Sequence, residues 1–156
     1  MKTVFFQSLI ILIVINSCKP TNNDYYSFPK STWSSKKIVQ FDITTKDSLE
    51  QKIMQVSIRH NTTYKYQNII FLVHHSFKEK KISTDTIEVL LAQDNGKWLG
   101  TGKGNIREFS KTLQPPKTYQ NGRHTFSLEL AMRDNTTVEL ENLYGISDIS
   151  LYLSQK

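Results

Sequence analysis

The sequence predicts an all-β protein, a single antiparallel β-sandwich of immunoglobulin-like or jelly-roll-like type, on two observations. Between residues 39 and 153 apolar side chains recur at every second position in a series of short segments. Polar or charged turns separate those segments, and no long stretch carries helical periodicity. Alternate side chains leave opposite faces of a strand, so each segment has one apolar face to bury. About six such strands satisfy one another as two packed sheets.

Taken in order, Val39, Phe41 and Ile43 make the apolar face of the first strand, with Gln40 and Asp42 opposite. Met54, Val56 and Ile58 alternate with Gln55, Ser57 and Arg59. Asn68 to Phe77 is apolar on both faces, Ile69, Phe71 and Val73 on one and Ile70 and Leu72 on the other, as a central strand requires. Lys78-Glu79-Lys80-Lys81 makes a turn, after which Ile87, Val89 and Leu91 alternate with Glu88 and Leu90. Phe126, Leu128, Leu130 and Met132 alternate with Thr125, Ser127 and Glu129, and Ile149, Leu151 and Leu153 with Asp148, Ser150 and Tyr152. Helix is confined to one expected turn, Asn105 to Thr112, which Pro115-Pro116 stops.

The first residues belong to no strand. Met1-Lys2 precedes Val4, Phe5, Phe6 and the run Leu9 to Ile15, too short for a comfortable bilayer crossing, which takes about 20 apolar residues, and of the length of a signal-peptide core. Ile15-Asn16-Ser17-Cys18 has the form of a lipobox, with an aliphatic residue three before the cysteine and a small one just before it. The Cys18 thiol then accepts a diacylglyceryl group, and a peptidase cuts between Ser17 and Cys18. One acyl chain anchors marginally; two or three anchor stably. The expected organisation is a cleaved signal at 1–17, a lipidated cysteine and tether at 18–35, and the sandwich at 36–156. Tyr25, Tyr26, Phe28 and Trp33 interrupt an otherwise polar tether, so its end is expected to dock on the domain.

Composition narrows the function classes. The chain of 156 residues is 38% apolar and 22% charged, which fits one domain. Cys18 is its single cysteine, so lipidation leaves no disulfide. The 20 Lys and Arg, less Lys2, exceed 14 acids, but they are scattered and often alternate with acids, the pattern of a solvated surface. No basic stripe with interleaved aromatics is present, and nucleic acid is not an expected partner.

The most unusual segment runs from Asp94 to Asn105 and holds four of the six glycines. It lacks a P-loop ending and the dinucleotide glycine spacing. The structural reading makes Asp94-Asn95-Gly96 a turn, with Gly100, Gly102 and Gly104 allowing a bulge or close backbone crossing beside Trp98; the alternative is a ligand-binding loop. His74 and His75 leave opposite faces of a strand, and His60 and His124 have no partner at ligand spacing, so no metal is expected. Neither a nucleophile elbow nor a carboxylate pair is visible, and no catalysis or small-molecule cofactor is expected. Asn61-Thr62-Thr63 and Asn135-Thr136-Thr137 match the eukaryotic N-glycosylation pattern incidentally and are read as loops.

The same segment, Asp94-x-Gly96-Lys97-Trp98-Leu99-Gly100-x-Gly102-x-Gly104-x-Ile106, followed by Ala131-Met132-Arg133 and Gly145-Ile146-x-Asp148-Ile149, resembles the gliding-motility lipoproteins called GldH, found in Bacteroidetes. Tyr64-x-Tyr66-x-Asn68, Asp85-Thr86-Ile87-Glu88 and Trp33 add to it, and the likeness spans residues 25 to 153. It implies a non-enzymatic accessory role in the envelope machinery of gliding and type IX secretion, through contacts with other proteins, and no catalytic residue or cofactor. Lys19-Pro20-Thr21-Asn22-Asn23 delays the first acid to Asp24, which favours the periplasmic side of the outer membrane. In that phylum Asp47-Ser48-Leu49 and Asp85-Thr86-Ile87 resemble O-glycosylation tripeptides. An alternative is a membrane-anchored glycan- or peptidoglycan-binding module, favoured if Trp98, Tyr64, Tyr66 and Tyr119 share one exposed face.

Overall fold

A computed structural model describes residues 25–134 and 139–156. Ser17, Cys18 and the signal segment lie outside the described residues, as does Asn135-Thr136-Thr137. The strands are β1 (Tyr26–Ser27), β2 (Thr32–Ser34), β3 (Val39–Thr45), β4 (Gln51–Asn61), β5 (Asn68–Phe77), β6 (Lys80–Leu90), β7 (Ile106–Thr112), β8 (Lys117–Thr118), β9 (Gly122–Leu130), β10 (Asn142–Tyr144) and β11 (Ile146–Gln155). All pairings are antiparallel. One sheet runs β1-β11-β4-β7, with β8 also on β4; the other runs β3-β9-β5-β6, and β2 pairs with β10.

The topology refines the expected class. The long strands β3, β4, β5, β6, β7, β9 and β11, numbered one to seven, give sheets 7-2-5 and 1-6-3-4. An immunoglobulin sandwich likewise places its second and fifth strands in one sheet and its third and sixth in the other. Here the first and last strands have exchanged sheets, β3 pairing with β9 and β11 with β4.

The registers put the expected apolar faces inward. Val39, Phe41, Ile69, Phe71, Val73, Phe126, Leu128 and Leu130 of one sheet share a buried cluster with Met54, Val56, Ile58, Ile149 and Leu151 of the other. β5 is central between β9 and β6. The β5–β6 turn narrows to Lys78 and Glu79, with φ of 49° and 64°. Both lie in the left-handed region that a tight hairpin turn demands, so Lys80 and Lys81 already belong to β6.

Two expectations are corrected. Asn105–Thr112 is no helical turn: residues Ile106–Thr112 form β7, hydrogen-bonded along β4 from Asn61↔Ile106 to Gln55↔Thr112. The folded unit also begins near Tyr26 rather than at residue 36. Tyr26 pairs with Ile149, Trp33 with Leu143, and the Phe28 and Trp33 rings stack 4.9 Å apart inside the core.

The link from Thr45 to Gln51 crosses between the sheets, so those strand ends lie together. They share the lower end of the sandwich with Phe77, Lys80, Gly122 and Gln155. Asn61, Asn68, Leu90, Ile106 and Ile146 mark the upper end. At the side where β6 and β7 are the outermost strands, the Lys111 ammonium donates to the Glu88 carbonyl at 2.8 Å.

Candidate functional site

The glycine-rich segment closes the upper end and is built as a brace. Gly96, at φ 79°, ends the turn in which its N–H donates to the Gln93 carbonyl. Ala92 then bridges to Trp98, and the Leu99 N–H donates to the Leu91 carbonyl. Thr101 and Glu108 exchange two backbone hydrogen bonds of 3.0 and 2.8 Å, laying the segment along the outer edge of β7. A Cβ on Gly100 would stand 2.6 Å from the Glu108 carbonyl oxygen, and one on Gly102 would stand 2.1 Å from that of Ile106. Gly104 turns the chain at φ 60°. Trp98 is half-buried, its ring 4.5 Å from that of the fully buried His60. Asp94, Gly96, Trp98, Gly100, Gly102 and Gly104 therefore do lie together, around a backbone crossing.

A second constellation holds the end of the tether, which docks on the domain as its aromatics led one to expect, though the sequence reading did not foresee the partners of Tyr25. Tyr25 precedes β1 yet reaches across the outer face of its sheet, where its hydroxyl donates to Glu108 Oε1 of β7 at 2.7 Å and lies 3.1 Å from Ser57 Oγ of β4. Ser57 and Arg59 Nε also donate to Glu108, at 3.0 and 2.9 Å, and the guanidinium sits 4.0 Å from the centre of the Tyr25 ring. Burial opposes ionisation of Glu108, but the hydrogen bonds from Arg59, Tyr25 and Ser57 outweigh it and hold the carboxyl below its ordinary range. Small side chains at Ser57 and Ser150 leave room for the ring, and both are buried although they face outward. No periodicity announces such a contact; the cluster of aromatics was its only signal.

The histidines divide by face. His74 points outward, between Thr84 at 2.9 Å and Glu129 at 2.8 Å. His75 points inward and, against expectation, meets His124: β5 and β9 set them diagonally, with Nε2 of His75 2.9 Å from Nδ1 of His124. His124 Nε2 lies 2.8 Å from the Gln120 carbonyl, so the chain of donors runs from His75 to His124 to Gln120 and leaves His75 Nδ1 buried without a partner. The pair borders a cleft of about 260 Å³ at the lower end, also lined by Phe77, Ile82, Lys117 and Tyr119. Among the described residues no three metal-ligating side chains converge.

This pair gives the fold a pH dependence. Burial, then the neighbouring His124 and Lys117, pushes His75 down to about 4 from its ordinary 6.5, against a small opposing pull from Asp85. Between those values the unfolded chain holds a proton that the folded chain refuses, so stability falls as pH drops from about 6.5 toward 4 and levels off below. His60, lowered by burial, acts in the same sense. Thermal unfolding across that window should show the loss, and His75→Phe should reduce its slope; an unchanged slope counts against the buried pair.

The aromatics do not form a binding platform. Tyr64 and Tyr119 are both 4% exposed, Tyr64 at the upper end near Trp98 and Tyr119 at the lower end against His124. A groove of about 860 Å³ crosses the outer face of the β3-β9-β5-β6 sheet, floored by Ile70, Leu72 and Met132 and rimmed by Lys36, Arg133 and Glu129.

The fold and the clamp at Tyr25 define a β-sandwich into which the chain is bound from Tyr25 onward. The chain belongs to the GldH lipoprotein family, whose profile matches residues 21–153. It is 27% identical over 154 residues to the gliding motility lipoprotein GldH homolog of Christiangramia forsetii, covering 96% of this chain and 94% of that protein. It is also 27% identical over 150 residues to the gliding motility lipoprotein GldH of Flavobacterium johnsoniae, covering 95% and 94%. No solved structure matches the chain.

Proposed function

We propose that the protein is a non-enzymatic accessory of the gliding-motility and type IX secretion machinery. Acyl chains on Cys18 hold it to the outer membrane, on the periplasmic side, and it acts through contacts with other envelope proteins. The observation that carries this reading is the extent of the family match: residues 21–153 span nearly everything after the lipobox, so the role attaches to the whole domain. The glycine-rich motif supports it as well, being occupied with backbone geometry. The delayed first acid, Asp24, supports the periplasmic side.

Cys18→Ala is expected to abolish acylation and processing and, with them, gliding or secretion in cells that depend on the protein. Labelled palmitate with membrane fractionation reads the first, and spreading or secretion assays the second. Continued incorporation of label with processing at the same position would refute the anchor. Affinity purification of the lipidated protein from its own membranes should return envelope proteins; a protein recovered alone argues against the accessory role.

A further inference from the structure

The lower end of the sandwich collects features that the family's role does not explain. Leu49, at the tip of the β3–β4 loop, is 87% exposed, and Ile82, beside the β5–β6 turn, is 58% exposed. Asp47 Oδ1 accepts the Leu49 N–H at 2.8 Å, which fixes the loop while the leucine side chain stays in water. Exposed lysines neighbour both along the chain: Lys46 on the first loop, and Lys78, Lys80 and Lys81 on the second. Lys117 lines the same cleft as Ile82. Asp47, Glu50 and Glu79 are the acids among them, and Glu50 is already taken by Lys52. Exposed aliphatic tips flanked by lysines at one end of the sandwich match a bilayer surface, whose headgroups offer negative charge above an apolar interior.

The tether points the same way. β1 runs antiparallel to β11 and pairs Tyr26 with Ile149 and Ser27 with Asp148, so followed backwards from Ser27 to Tyr26 the strand runs toward Gln155 and the lower end. Tyr25 stands level with Ser150, five residues or about 17 Å above that end. Cys18 lies seven residues before Tyr25, and seven residues reach at most about 25 Å. A lipid on Cys18 therefore lies within reach of the lower end, because the clamp on Glu108 withholds the rest of the tether.

We infer that the lower end, through Leu49, Ile82 and the neighbouring lysines, docks on the anionic headgroup surface of the membrane that holds the anchor. This rests on the anchor at Cys18. The upper end and the groove of the β3-β9-β5-β6 sheet then face away from the bilayer, where a protein partner can reach them.

Acylation consumes the single native thiol, so an introduced cysteine in the mature lipidated protein is the one site for a polarity-sensitive fluorophore. Leu49→Cys and Ile82→Cys report the lower end; Leu90→Cys and Tyr144→Cys, both exposed, report the upper. In vesicles of phosphatidylethanolamine and phosphatidylglycerol, the lower labels should shift to the blue and be quenched by brominated lipid, while the upper labels stay aqueous. Adding Lys80→Glu and Lys81→Glu should return the lower labels toward the aqueous signal. Upper labels that respond instead, or four labels that respond alike or not at all, overturn the docking while the protein still floats with the vesicles. Protein that does not float refutes the anchor itself, and the docking with it.

Discussion

Gly102→Val is expected to abolish the folded domain. A Cβ at this position would stand 2.1 Å from the Ile106 carbonyl oxygen and 3.0 Å from its carbon, and both are backbone atoms. Neither strand can retreat cheaply. Thr101 is held to Glu108 by two hydrogen bonds, and β7 is held to β4 along seven paired residues from Ile106 to Thr112. Moving either sacrifices a ladder, against a total stability of about 5–15 kcal/mol for an ordinary domain. Gly96→Ala is the informative contrast. It adds a Cβ with nothing within 4 Å, at φ 79°, so it meets only left-handed strain of about 1–2 kcal/mol. Urea unfolding should give a modest loss for Gly96→Ala and no cooperative transition for Gly102→Val. Similar transitions for both would mean that the crossing at Ile106 is not as tight as described.

Leu128→Asp should be nearly as damaging, and Ser127→Asp should be close to silent. Leu128 is fully buried on β9, between Val39 of β3 and Val73 of β5. Aspartate there loses the leucine's packing, about 2–5 kcal/mol, and adds the several kcal/mol of an unpaired buried carboxyl. Ser127, one residue earlier, faces outward between Gln40 and His74, where a carboxylate keeps its water. Melting temperatures of the two variants decide it: equal values would place β9 one residue out of register.

Most of the frame was legible because its strands carry a local code. The apolar faces that alternation assigned to β3, β4, β9 and β11, and the Ile69-Phe71-Val73 face of β5, turn toward the common core, while the second apolar face of β5, Ile70 and Leu72, floors the outer groove instead. β7 was not legible for a local reason. Ile106 and Phe109 stand three apart, a helical spacing, but only Phe109 packs against the core, while Ile106 lies beyond the last inward residue of the ladder with β4. What makes this segment a strand is the unpaired edge of β4, a demand that no window of sequence displays. The same holds for His75 and His124, 49 residues apart, and for Tyr25 and Glu108, 83 apart. Each contact exists because the sheet order brings its strands together. The glycine segment was legible as backbone geometry, though not which strand it crosses.

The hydrogen bond from Lys111 to Glu88 bears on what happens when many copies share one membrane. Anchored proteins meet in a plane, at far higher local concentration than free ones, and an open strand edge then becomes a template for adding a neighbour's strand. β6 is the outermost strand of its sheet, eleven residues long. A lysine from β7 occupies one of its carbonyls, and a bulge opposite His75 and Ser76 breaks its straightness near the turn. Sheet-to-sheet polymerisation is thereby discouraged on the side where crowding would promote it, and Lys111→Thr should make the lipidated protein cluster in the plane of the bilayer without unfolding it.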